Sequence, residues 1–101
     1  MIETSNPDID VHELMERVRR LRGERERVRS ALASDGWVVP EAQGNFVWLT
    51  LGEDTMDFAV AAADAGVMVR PFAGDGARVT IGESAGNDVF LRVAAHWRAR
   101  T

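Results

Sequence analysis

The stretch that most restricts the fold is residues 66–82, Gly-Val-Met-Val-Arg-Pro-Phe-Ala-Gly-Asp-Gly-Ala-Arg-Val-Thr-Ile-Gly. Two short apolar runs, Val67–Val69 and Val79–Ile81, lie either side of a loop rich in Gly and Pro. β-Branched residues bounded by Gly and Pro read as strands, and Gly74-Asp75-Gly76 reads as the turn between them. Each run has an arginine at its edge, Arg70 leaving the first and Arg78 entering the second. A hairpin that brings two arginines together can form an anion site, because guanidinium offers carboxylate or phosphate a fixed fork of donors. Read locally, two surface arginines at strand ends is the simpler account.

Around this unit, 101 residues suffice for one small domain with one core. An apolar fraction of 46% with 28% charged residues is that of a globular chain. No apolar run approaches a membrane span, and the N-terminus is polar and acidic without a signal-like apolar region, so a cytoplasmic location and no membrane partner are expected. With a net charge of −4 and no basic tract, no nucleic-acid partner is expected. There is no cysteine, which excludes disulfides and thiolate chemistry from this chain. All twelve basic residues are arginine, so a Schiff-base lysine and a phosphate-loop lysine are excluded as well. Tyrosine is absent too. His12 and His96 fall in separate helical patterns without metal-ligand spacing, and no metal site is expected.

In chain order, residues 1–9 read as a disordered lead-in broken at Asn6-Pro7. Asp10 and Glu13 have capping-box spacing and open a long helix. Its stripe is Val11, Leu14, Val18, Leu21, Val28 and Leu32, with Arg25 in the slot where an apolar residue belongs. The opposite face offers Glu13–Arg17, Glu16–Arg20 and Arg22–Glu26 as i,i+4 pairs. Residues 1–29 hold seven acids and seven arginines, so the arginine-rich run is a solvated face. A helix this long implies that part of its stripe packs on something outside the domain. Asp35-Gly36 ends it. Trp37–Val39 is a short extended piece, and residues 45–51 form the strongest strand, apolar at both parities. A helix over 56–65, capped by Asp54 or Thr55, stops at Gly66. Ser84 opens a last helix with Val89, Phe90, Val93, Ala94 and Trp97 on one face.

The result is an α/β chain, an α+β two-layer sandwich with a small mixed sheet behind a long linker helix. The expected division is lead-in 1–9, helix 10–35 and small domain 36–101. The crossover from strand 45–51 through a helix to strand 67–70 predicts a parallel pairing of those two strands.

Asn45-Phe46-Val47-Trp48-Leu49, Gly66-Val67-Met68-Val69-Arg70-Pro71-Phe72 and Gly76-Ala77-Arg78-Val79-Thr80-Ile81-Gly82 occur in that order, followed by Asn87-Asp88 and Phe90-Leu91. Together they resemble the C-terminal small domain of the pyridoxal-phosphate-dependent class I/II (fold type I) aminotransferases. The similarity covers about residues 25–98 and is nearest to the histidinol-phosphate and aromatic amino acid (phenylalanine) aminotransferases. The resemblance implies that Arg78 grips the acidic end of the substrate, its carboxylate or, in histidinol phosphate, its phosphate. It makes Arg70 a second substrate-binding residue near the same anion and Asn45 a third. Asn45 and Phe46, which begin the buried strand, are assigned a structural role first and a pocket role second.

The same resemblance implies pyridoxal 5'-phosphate in a longer parent and none in this chain, which has no lysine to hold and exchange the cofactor. It also implies a missing large domain as partner, a homodimeric parent, and an amino acid or histidinol phosphate as substrate with 2-oxoglutarate. The chain alone is then expected to be inert. Two other readings stand beside this one. The first is a small regulatory module that binds an anionic metabolite through its arginines. The second is an oligomerisation domain that uses the long helix.

Overall fold

The computed structural model describes residues 11–41 and 44–99. Along them run α1 (Val11–Ser34), β1 (Phe46–Thr50), a 3-10 turn (Gly52–Asp54), α2 (Thr55–Asp64), β2 (Arg70–Phe72), β3 (Gly76–Thr80) and α3 (Ser84–Ala99). The helices cover one face of the sheet, which makes the expected two-layer α/β arrangement. The lead-in at 1–9, the capping residue Asp10 and the loop residues Ala42 and Gln43 lie outside the described residues.

The sheet has the order β1-β3-β2, and both neighbouring pairs are antiparallel. The parallel pairing expected between β1 and β2 is therefore not formed. The two strands run in the same direction, as a helical crossover requires, but β3 lies between them. A crossover fixes direction without fixing adjacency, and the tight turn after β2 lets β3 enter the gap. The ladder of β2 also starts later than the sequence predicts, because Val67 is already committed. Its N–H bonds the Ala62 carbonyl at 2.8 Å, and Gly66 N–H bonds the Ala63 carbonyl at 2.9 Å. With Gly66 at φ +86°, this is the glycine-terminated cap that satisfies the last carbonyls of α2. Pro71, which has no N–H to give, is tolerated because β2 is an edge strand.

The end of α1 repeats the device. Gly36, at φ +97°, and Trp37 return their N–H groups to the Ala33 and Leu32 carbonyls, each at 3.0 Å. The piece Trp37–Val39 pairs with no described strand, but Trp37 is buried and its indole N–H donates to the Ala94 carbonyl at 3.3 Å. The start of α2 is held by Thr55, buried, whose hydroxyl donates back to the Gly52 carbonyl at 2.7 Å. Asp54 makes no side-chain cap.

The core lies between the sheet and the helices. Val47, Leu49 and Val79 from the sheet meet Val28, Leu32, Phe58, Phe90 and Trp97. Phe58 sits at its centre, edge-on to Trp37 at 6.3 Å and to Trp97 at 5.4 Å between ring centroids. Only the later part of the α1 stripe reaches this core. Val28 and Leu32 are fully buried, whereas Val11, Leu14, Met15 and Val18 are each 45–69% exposed.

The ion pairs described on α1 run at i,i+3, at Glu16–Arg19, Glu24–Arg27 and Glu26–Arg29, instead of the i,i+4 pairs expected. Arg27 also reaches Asp88 of α3 at 2.9 Å. Glu24 accepts a hydrogen bond from Asn87 Nδ2 at 2.9 Å, and Asn87 also clasps both backbone groups of Gly82. Bonds from Arg27 and then Asn87 hold the Glu24 carboxyl at about 2, below its ordinary 4.5. A carboxyl with a lowered folded pKa stabilises the fold above about pH 4.5, and that contribution is lost as pH falls toward 2. Acid titration followed by circular dichroism should therefore show wild type losing stability across this window. Glu24→Gln should be less stable than wild type at pH 7 and should converge with it near pH 2. Parallel curves for the two proteins would count against this linkage.

Candidate anion site on the open face of the sheet

Alternation along the strands divides their side chains between two faces. Val47, Leu49, Ala77 and Val79 face the helices and are buried. Phe46, Trp48, Arg78, Thr80, Arg70 and Phe72 have the opposite parity and lie on the face that no described helix covers. In register, Trp48 stands opposite Arg78, and Arg78 stands opposite Arg70. The two arginines named from the sequence are thus direct cross-strand neighbours, and Trp48 completes the row.

Like charges directly opposite on a sheet repel. Each guanidinium here is seated on an aromatic ring. The Arg78 Cζ lies 5.4 Å from the Phe46 centroid, and the Arg70 Cζ lies 5.4 Å from the Phe72 centroid. Trp48 and Phe72 make a tilted ring contact at 5.7 Å. Trp48 Nε1 donates to the Thr50 hydroxyl at 3.2 Å. Among the described residues, no carboxylate pairs with Arg70 or Arg78. Two neighbouring cations without an internal counter-ion suit a carboxylate or phosphate, which would relieve their repulsion and take up their donors.

Two glycines allow this packing. A Cβ on Gly76 would lie 2.1 Å from the Leu49 carbonyl oxygen and 2.8 Å from the Trp48 ring. A Cβ on Gly44 would lie 2.5 Å from the Phe46 ring. The turn between β2 and β3 is closed by Asp75 N–H on the Phe72 carbonyl at 2.9 Å, with Gly74 at φ +85° as a type II turn requires.

Asn45 is exposed and directly precedes β1, where its carbonyl accepts the Ile81 N–H at 2.7 Å. It lies one residue out of phase with Phe46 and Trp48, so the register does not place it in the Trp48–Arg78–Arg70 row. The aromatic seats were the part of the site that sequence reading missed. The usable signal was in Phe46-Val47-Trp48-Leu49, where the rings fall on one parity and the aliphatic residues on the other. Among the described residues, no cluster of His, Cys, Asp and Glu could hold a metal ion, and no helix is long and apolar enough to cross a membrane.

The family model for aminotransferase class I and II matches residues 3–95. An aromatic amino acid aminotransferase of Thermobifida fusca is 60% identical over 88 residues, covering 87% of this chain and 24% of that protein. Those of Streptomyces avermitilis and Streptomyces coelicolor are 58% and 59% identical over 86 residues, again covering 85% of this chain and 24% of each. The fold is shared with the crystal structure of an aminotransferase-family protein from Burkholderia pseudomallei, at a TM-score of 0.69 and 23% identity over 77% of this chain and 25% of that one. The chain therefore belongs to the class I and II aminotransferases, and it spans about a quarter of the length of the relatives it matches.

Proposed function

We propose that this chain is the C-terminal small-domain portion of a pyridoxal-phosphate-dependent aromatic amino acid aminotransferase, in which Arg78 receives the substrate carboxylate with Arg70 beside it. The observation that carries the proposal is the pair of facing arginines on one sheet face, held by rings and paired with no carboxylate among the described residues. The relatives' name favours an aromatic amino acid over histidinol phosphate, for which the same pair would take a phosphate. The amino acceptor would be a 2-oxo acid such as 2-oxoglutarate, and the parent a homodimer.

The cofactor, when bound, supplies the electron sink for the transfer of the amino group. The residues of this chain do not fit it, because there is no lysine to hold it. Its attachment belongs to a large domain beyond this segment. What this chain contributes is binding: Arg78 fixes one end of the substrate, and the ring beneath it leaves the N–H edge free. The chain alone should be inert. Mixed with pyridoxal phosphate it should leave the free-aldehyde absorbance unchanged, apart from slow labelling of the N-terminal amine.

Titration of the 101-residue chain with succinate, followed by NMR of the arginine Nε–Hε signals, tests the site directly. Half a pocket should bind on the order of millimolar, with the Arg78 signal moving. Arg78→Ala should weaken binding about tenfold or more, as expected for loss of a charge-assisted hydrogen bond. Micromolar binding would favour the regulatory module, and an unmoved Arg78 signal would remove the anion site. The exposed Val11, Leu14, Met15 and Val18 give the oligomerisation reading its support. In the aminotransferase reading the absent large domain covers that stripe.

A further inference from the structure

We infer that Phe46 and Arg25 are positioning residues for Arg78, linked through the backbone at Gly44. The inference rests on the anion-binding reading of Arg78. Arg25 interrupts the α1 stripe between Leu21 and Val28, a slot that an apolar side chain would fill better. The residue is half-buried, and among the described residues its buried Nε has no hydrogen-bond partner. Its one described bond is from Nη1, which donates to the Gly44 carbonyl, 19 residues away, at 2.8 Å. An arginine that leaves a buried donor unsatisfied is a poor choice for packing alone, and its single described bond fixes the backbone that leads into β1.

That backbone is the floor under Phe46. The ring lies so close to Gly44 that a Cβ there would come within 2.5 Å of Cε2 and 2.8 Å of Cδ2. One residue on, Asn45 is tied to Ile81 at 2.7 Å. Phe46 thus lies between the Gly44 backbone and the guanidinium of Arg78, 5.4 Å from its centroid. An aromatic seat attracts a guanidinium without consuming its N–H donors. A carboxylate in the same place would compete with the incoming anion. The order of dependence is Arg25, Gly44, Phe46, Arg78.

The test uses the 101-residue chain with succinate as probe and the Arg78 Hε signal as a local reporter. Phe46→Leu keeps the apolar bulk but removes the ring, and should weaken succinate binding about three- to tenfold while shifting the Arg78 Hε signal. Phe46→Tyr should restore both. Arg25→Met fills the stripe and removes the bond to Gly44. Its melting temperature should equal or exceed that of wild type while succinate binding falls and the Phe46 ring signals move, a split that a merely structural role would not produce. Unchanged succinate binding in both Phe46→Leu and Arg25→Met would overturn the inference. If wild type itself fails to bind succinate, the anion reading fails. The Arg78 Hε signal in Arg25→Met, which keeps the Phe46 ring, then still decides whether this run of contacts positions Arg78: an unmoved signal overturns the inference.

Discussion

Truncating Phe58 to Ala is expected to lower the unfolding free energy by about 3–5 kcal/mol. Phe58 is fully buried and is the ring on which both core tryptophans close. Removing it takes away the transfer energy of the ring and both edge-on contacts, and leaves a void between two large indoles. Trp37 is also pinned by its bond to Ala94, which limits how far it can collapse inward. Domains of this size have a total stability of roughly 5–15 kcal/mol, so the variant should sit close to its unfolding midpoint. Urea denaturation followed by tryptophan fluorescence gives the number. Val60→Ala, at a site on α2 that is 61% exposed, serves as the control and should change by no more than about 0.5 kcal/mol. Equal midpoints for the two variants would show that the aromatic centre is not the core.

Gly76→Ala should be nearly as damaging for a different reason. Gly76 has an ordinary negative φ, so the issue is space alone. The added methyl would meet the Leu49 carbonyl at 2.1 Å, and that carbonyl is backbone of the neighbouring strand. Strands β1 and β3 would have to separate where Thr50 and Gly76 pair. Overpacking of this kind costs roughly 1–3 kcal/mol, and a clash with backbone belongs at the upper end. Because the same methyl would press on the Trp48 ring, the arginine row should be displaced together with the strand. Loss of the succinate-induced Arg78 shift alongside a lowered urea midpoint is the expected outcome. A variant with wild-type stability would mean that the strands have more room than the backbone positions imply.

Much of this was legible in the sequence, for reasons that can be named. The helices could be read because their signals are local: α1 and α2 end at Gly36 and Gly66, and both glycines adopt the left-handed conformation that the cap needs. The hairpin turn was readable at Gly74 for the same reason. The proximity of Arg70 and Arg78 followed from one hairpin. Sheet order was not legible, because whether β3 lies outside β2 or between β2 and β1 is decided by packing between distant segments. The start of β2 was missed because Val67 was drawn into the cap of α2, and the residues of the strand itself carry no sign of that. The apolar character of 45–51 at both parities reflects an aliphatic core face and an aromatic face that seats arginines.

The position of β3 between two partners has a consequence for the time dependence of the row. Arg78 belongs to a strand bonded on both sides, so exposing its backbone means breaking the sheet and the domain with it. Arg70 belongs to a three-residue edge strand whose middle residue is a proline. A short edge strand opens locally at less cost than a strand bonded on both sides, so amide exchange should be faster along β2 than along β3.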